Sequence, residues 1–307
     1  MKAESTRVLL IALAANVGIA IAKFAAAAVT GSSAMLTEGV HSLVDSTNQL
    51  LLLYGEKRSK RPPDEKHPAG YGRELYFWSF VVALLVFAAG AGVSVYEGIR
   101  HLRAPEPAVS PYIAYGVLLV AFLLEGGSTL AAFKSFDAAR NGRSWWRALT
   151  ETKDASTVIV LLENGAAMAG LVIAAVGLGL AQATGNPHWD GIASIVIGLL
   201  LGFVAIFLAR EAKGLLIGEA ADPALADALR CAAIRVGVMR VGELMTVHNA
   251  PDQVVAAMSI DFDNRMGAGD VERIVSEIEA DVRRTLPQVV RLYIRPMEIP
   301  VPEDAGE

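Results

Sequence analysis

Six runs of predominantly apolar residues dominate the chain, at positions 8–29, 34–54, 76–99, 112–133, 157–180 and 189–209. Each approaches or exceeds the ~20 residues that a helix needs to cross a bilayer. Inside lipid the backbone must satisfy its own hydrogen bonds, so the runs are expected to be six transmembrane helices. The composition agrees: 53% of the 307 residues are hydrophobic and 19% charged, with a mean hydropathy of +0.43, which makes lipid the main solvent.

The connections alternate in charge. The long joints 55–75 and 134–154 carry Lys57, Arg58, Lys60, Arg61, Lys66 and Arg73, then Lys134, Arg140, Arg143, Arg147 and Lys153. The joints 30–33 and 181–188 have no lysine or arginine, and the remaining one has Arg100 and Arg103. The positive-inside rule predicts that both chain ends and both basic loops face the cytoplasm, as in a multi-pass protein of a bacterial inner membrane. Residues 1–7 are polar, show no small-residue cleavage site and are expected to be retained.

Beyond residue 213 the texture becomes that of a soluble domain. This divides the chain into a transmembrane domain 1–213, a cytoplasmic domain 214–300 and a tail 301–307. Asp222-Pro223 predicts a helix start, by the preferences for Asp at the N-cap and Pro at the first position, with the helix running to about residue 236. Strands are expected at 243–249 and 254–262, a helix at 270–286 with Val271, Ile274, Ile278 and Val282 on one side, and a last strand at 289–294. The expected fold class is membrane all-α followed by a small α+β domain of order αββαβ: one antiparallel sheet with helices on one face. The uncovered face suits a dimerisation and regulatory module, with a C2 homodimer as the default. A net charge of -5 leaves no basic excess to neutralise phosphates, so no nucleic-acid partner is expected. The single cysteine, Cys231, cannot form an internal disulfide and reads as packing.

An ionisable side chain inside a spanning helix costs about 2.5 to 3.5 kcal/mol on insertion scales, so each one asks for a reason. In the second run, Glu38, His41, Asp45 and Asn48 recur at spacings of three and four and share one helix face, widened by Ser42 and Gln49. His41 and Asp45 can aim an imidazole and a carboxylate at one point, a pairing that suits zinc or a similar divalent ion. The fifth run supplies Glu163 and Asn164, about 15 Å from its cytoplasmic end at about 1.5 Å per residue. Both sets therefore meet near the midplane, where transporters place their sites. The bland alternative is interhelical glue, worth about 0.6 kcal/mol on average, which is the reading given to Asn16, Thr37, Ser79 and Ser94. Glu125 either lines the cytoplasmic half of a pathway or pairs with Asn16. Glu38, nearer the outer surface, reads as a pathway or gating group, and Glu97, Arg100 and His101 read as solvated at a helix end.

These residues resemble the cation diffusion facilitators, dimeric six-helix exporters of zinc and related metals coupled to protons. Glu38-Gly39-Val40-His41-Ser42-Leu43-Val44-Asp45 resembles that family's HSxxD motif, and the segment from Asp64-Glu65-Lys66-His67 to Tyr71-Gly72-Arg73-Glu74 is similar to its DxxHPxGxGxxE loop. Leu161-Leu162-Glu163-Asn164 and Gly185-Asn186-Pro187-His188-Trp189-Asp190 look like the branch of the eukaryotic mitochondrial zinc-transporter-like proteins. The resemblance implies a transport site between the second and fifth helices, with His41, Asp45, Glu163 and Asn164 as its metal ligands. It also implies a metallochaperone-like C-terminal fold. Where many members carry a second HxxxD or DxxxD, this chain has Val160 and Asn164, which leaves the fourth ligand open. A second site of one aspartate and two histidines maps to Asp64, His67 and Tyr71, and the tyrosine removes one ligand, so a weak or structural site is expected. The soluble domain offers His248 and scattered acids, too few for a binuclear cluster, and His248 reads as a surface or packing residue.

The function expected is a divalent metal exporter, zinc first, working as a metal-proton antiporter. Ligands that must be deprotonated to hold metal let protons compete for the same atoms, and an unperturbed imidazole titrates near pH 6.5. The partners are then lipid, a second copy, the transported ion and protons, with no prosthetic group. No enzyme activity is expected: HExxH is absent, which weakens an intramembrane hydrolase, and no GxxxxGK[ST] supports nucleotide drive. A metal sensor that binds without transporting is the remaining alternative.

Overall fold

The structure is a computed structural model describing residues 3–105, 111–140 and 142–298; the expected tail 301–307 lies outside them. The chain divides into two compact units, one formed by residues 1–60 and 74–213, the other by 61–73 and 214–307.

In the first unit, α1 (Ala3–Thr30) and α2 (Ser33–Ser59) form a hairpin that turns at Gly31. The φ of Gly31 is +69°, a left-handed conformation that costs glycine least. Ser32 caps α2 by accepting a hydrogen bond from the Met35 N–H at 3.2 Å, a device worth about 1 kcal/mol. Asp190, in the first turn of the helix His188–Ile217, adds its carboxylate there, accepting from the Ser32 hydroxyl at 2.7 Å and the Ser33 N–H at 2.5 Å. Its negative charge thus sits at the end of α2 that the helix dipole makes positive. Next come α3 (Glu74–Leu85), a π-helical turn Val86–Gly92 and α4 (Val93–Arg103), running on as one rod. They are followed by α5 (Pro111–Ala139), the short α6 (Trp145–Glu151), α7 (Ala155–Thr184) and α8 (His188–Ile217).

Among the described residues, four helices are long and apolar enough to cross a membrane: Glu74–Arg103, Tyr112–Ala138, Ala155–Thr184 and His188–Ile217. Six were expected, and the two that differ do so for stated reasons. The apolar stretch of α1 among the described residues is only Asn16–Thr30. In α2, the stripe of Glu38, His41, Asp45 and Asn48 replaces apolar residues and lowers the hydropathy.

α4 and α8 approach closely through glycine. A Cβ on Gly98 would lie 2.7 Å from the Gly191 carbonyl oxygen, and one on Gly198 would lie 2.7 Å from Val95 Cγ2. Between lipid-embedded helices such close packing substitutes for the missing hydrophobic force. The same packing corrects the expectation that Glu97 and His101 are solvated, because they are buried, at 6% and 5% exposure. The helix continues to Arg103, so these positions lie inside the bundle beside α8: His101 Nε2 is 3.9 Å from Asp190 Oδ2, and Glu97 pairs with Arg100.

In the second unit, Asp222 caps α9 (Pro223–Ala233), its carboxylate accepting from the Ala224 N–H at 2.9 Å. The helix stops three residues short of the expected end, at Ala233. β1 (Val238–Ala250) pairs antiparallel with β2 (Gln253–Phe262), and β2 pairs parallel with β3 (Val289–Pro296). The sheet is therefore mixed, not antiparallel as expected. α10 (Ala268–Thr285) carries the chain back between β2 and β3, so both strands start at the same end of the sheet, as in any βαβ crossover. Alternate residues of β2, Val254, Ala256, Met258 and Ile260, share one core with Leu225 and Leu229 of α9 and with Ile274, Ile278 and Val282 of α10. Both helices thus cover the same sheet face. The segment 61–73 rests on this unit: the Asn249 amide donates to the Ala69 carbonyl at 2.9 Å, and the Arg291 guanidinium donates to that of Pro68 at 2.7 Å.

Candidate functional site

The 3.6-residue period of α2 puts Glu38, His41, Asp45 and Asn48 on one face, and all but the half-buried Asp45 are buried. His41 Nε2 stands 3.5 Å from Asp45 Oδ2, one turn on, too far for a good hydrogen bond. Neither imidazole nitrogen has a hydrogen-bond partner among the described residues, nor has Asp45 Oδ1. A buried polar atom left in this state costs about 1 to 3 kcal/mol, so the pair is chemically unsatisfied as it stands.

From α7, Glu163 is buried at 5% exposure and its Oε1 accepts from the Asn48 amide at 2.6 Å. Successive helical residues diverge by about 100°, so Asn164 faces another neighbour, its amide donating to the Ser128 hydroxyl of α5 at 3.4 Å. Asp45 and Asn164 nevertheless line a common cavity of about 220 Å³, together with Asn16, Ser42, Gln49, Glu125 and Ser128. Among the described residues, no three His, Cys, Asp or Glu side chains converge closely enough to hold an ion. His41 and Asp45 stand together, while Glu163 bonds to Asn48, about one turn farther along α2.

Sequence reasoning missed Lys23. Its ammonium donates to Glu38 Oε2 at 3.0 Å, the Ser42 hydroxyl at 2.8 Å and Glu125 Oε1 at 2.9 Å, tying α1, α2 and α5 together. Lys23 and Glu38 are both 0% exposed. Glu125 lines the cavity with Asn16, but the group it pairs with is Lys23. The signal was available: a lysine inside an apolar run costs as much as an acid and needs a partner. Gly170 of α7 leaves room for Glu38, because a Cβ there would collide with Glu38 Oε1. Ser79 and Ser94 are not interhelical glue; their hydroxyls bond back to the carbonyls of Leu75 and Gly90 on their own rod.

In the 61–73 segment, Asp64 Oδ1 accepts from the backbone N–H groups of His67 at 2.7 Å and Lys66 at 3.0 Å. Tyr71 donates its hydroxyl to Asp64 Oδ2 at 2.5 Å and packs its ring 4.3 Å from that of His67, centroid to centroid. The Tyr71 hydroxyl, and after it the His67 N–H, hold the Asp64 carboxyl below its ordinary range. The tyrosine that replaces an expected ligand thus also engages the aspartate. His248 is buried, with Nδ1 3.2 Å from the Ala250 carbonyl oxygen, in a packing position.

Four helices long and apolar enough to cross a membrane, with buried ionisable groups around a cavity, mark an integral membrane protein. Residues 9–217 match the cation efflux transmembrane domain, and the chain belongs to the cation efflux family. It is 40% identical over 221 residues to metal tolerance protein C4 of Arabidopsis thaliana, covering 71% of this chain and 48% of that protein. It is 36% identical over 219 residues to the mitochondrial proton-coupled zinc antiporter SLC30A9 of Homo sapiens, covering 71% and 39%. Over 298 residues it is 22% identical to the manganese efflux system protein MneP of Bacillus subtilis, covering 94% and 95%. The chain spans less than half the length of the plant and human relatives.

Proposed function

We propose that the protein exports a divalent metal ion, zinc first, in exchange for protons, binding it between α2 and α7 with His41, Asp45 and Glu163 as ligands and Asn164 at the edge of the site. The observation that carries this reading is the pair of buried His41 and half-buried Asp45, 3.5 Å apart, with neither imidazole nitrogen hydrogen-bonded among the described residues. Two ligands of different charge and softness, held at one helical turn, match what zinc takes. An arriving ion recruits the Glu163 carboxylate, which the Asn48 amide orients, completing a site that the side chains leave open. Protons arriving from the opposite side then take the ligand lone pairs and release the ion. The names of the relatives, a proton-coupled zinc antiporter and a manganese efflux protein, support the cargo class.

In this reading α1 and α2 cross the membrane with the four more apolar spans, and both termini lie in the cytoplasm. Residues 1–213 form the transport domain, and residues 214–300 form a cytoplasmic module that dimerises two copies. Purified protein in liposomes tests it: zinc uptake should follow an imposed proton gradient, with zinc preferred over manganese. Zinc flux indifferent to the gradient would sink the antiport mechanism, and binding without flux would favour a sensor.

A further inference from the structure

The ammonium of Lys23 is surrounded by oxygen: one carboxylate oxygen from Glu38, one from Glu125 and the hydroxyl of Ser42, all between 2.8 and 3.0 Å. The three ligating side chains come from two helices and Lys23 from a third, so the arrangement belongs to tertiary packing rather than to one helix face. Each carboxylate also keeps its second oxygen without a partner: Glu38 Oε1 and Glu125 Oε2 are buried and unbonded among the described residues. Two carboxylates, whose four oxygens include the two spare ones, and a hydroxyl make five donors for a hard divalent cation, which takes six or more oxygen ligands and fills the remainder with water. One amine nitrogen occupies the middle of this set.

We propose that Glu38, Ser42 and Glu125 form an oxygen-lined cation seat that Lys23 fills as a tethered cation, keeping a second divalent ion out of the cavity next to His41 and Asp45. The seat itself stands on the network described above. Its consequence, that Lys23 sets how many metal ions the protein accepts, rests on the proposed export function. An ammonium carries one charge and cannot leave its helix, so it bonds one oxygen of each acid without competing for the path of the cargo. A divalent ion in the same place would face two carboxylates with no opposing cation. Lys23 is thus a specificity-determining residue that touches no proposed ligand of the transported ion.

The test measures binding, not transport. Manganese suits an all-oxygen seat, and its binding to the purified full chain in detergent is followed by equilibrium dialysis. The parent for the measurement is His41→Ala/Asp45→Asn, which lacks the proposed transport ligands. Adding Lys23→Met to this parent should create manganese binding, and adding Glu125→Gln should weaken it again by about tenfold or more, since affinity follows ligand charge. Lys23→Met leaves two buried carboxylates unopposed and can cost the fold. Lys23→Met/Glu38→Gln, which keeps the net charge of the network, therefore serves as the second variant and should bind manganese more weakly but measurably. Folded protein of both kinds that binds no more manganese than the parent would overturn the proposal and leave Lys23 as a clasp between helices. Failure of zinc transport in liposomes by the otherwise unaltered protein would count against the export reading alone, because the seat is scored by binding.

Discussion

Two polar clusters share the face of α2, and they are treated in opposite ways by their surroundings. Glu38 and Ser42 meet the ammonium of Lys23 at hydrogen-bonding distance. His41 and Asp45, interleaved with them along the same helix, have no hydrogen-bond partner among the described residues on either imidazole nitrogen or on Asp45 Oδ1. Both clusters carry the cost of sitting inside the membrane unit, and both keep unpartnered oxygens, so the difference is that the first is tied by an ion pair and the second is not. A cluster clasped by an ammonium is fixed architecture. One with no such clasp, at the spacing of metal ligands, is where a cargo ion can supply the missing interaction. The contrast predicts that substitutions in the second cluster strike transport while leaving the fold, whereas substitutions in the first strike the packing of α1, α2 and α5.

The largest effect should come from Asp45→Asn, which keeps the shape of the side chain and removes the charge a divalent ion needs. Losing a partner of a metal ligand typically costs about 10- to 100-fold, so losing a ligand itself should lower zinc flux by about 100-fold or more. The protein should remain folded, as read by circular dichroism and gel filtration. Near-parental flux in this variant would remove Asp45 from the site and dissolve the contrast between the clusters.

Next in size is the α7 side of the site. Glu163→Gln should lower flux by about 30- to 100-fold, and Asn48→Ala by about tenfold, because Asn48 only orients the carboxylate through its 2.6 Å bond. Measuring apparent zinc affinity in both variants separates ligand from orienting residue. Equal losses in the two would mean that Glu163 serves packing and not the ion.

A smaller and more selective change is expected from His41→Asp. An imidazole favours zinc, whereas an all-oxygen site favours manganese and magnesium. The zinc-to-manganese flux ratio should fall by about tenfold while total transport persists in part. An unchanged ratio would place selectivity elsewhere, with Glu38 and Glu125 next to examine.

How far these clusters could be read from sequence depends on whether the governing interaction is local. The spacing of His41 and Asp45 is an i, i+4 relation, and the structure places their side chains side by side. Asp222-Pro223 is a local helix-start signal, and it appears at that position as a cap. Lys23 was missed because its partners lie 15 and 102 positions away, and only packing of three helices brings them together. The parallel pairing of β3 was missed for the same reason: strand direction is set by where α10 returns the chain, not by the composition of Val289–Pro296. The hydropathy of α2 points the other way, since the polar stripe Glu38, His41, Asp45 and Asn48 makes this helix less apolar than the four long spans.

The smallest effect concerns the 61–73 segment, which contrasts with both clusters by lying outside the apolar spans and exposed. Asp64 is held in its charged form first by the Tyr71 hydroxyl and then by the His67 N–H, which lowers its pKa. A carboxyl whose folded value is depressed contributes stability above its unfolded value, near 3.9, and loses that contribution as the pH falls through the folded value. Tyr71→Phe removes the largest of the causes, so the Asp64 titration should move up towards the ordinary range. At neutral pH the carboxyl is ionised with or without the bond, and it is well solvated, so zinc flux should change by less than about twofold, as for other exposed polar contacts. Any stability difference between parent and variant should be present at neutral pH and vanish in strong acid, where Asp64 is protonated in both. Carbon-13 NMR of the labelled aspartate carboxyls reads the shift directly. A titration of Asp64 that stays where it was would mean that the backbone N–H groups of Lys66 and His67 set its charge, with Tyr71 a bystander packed on the His67 ring.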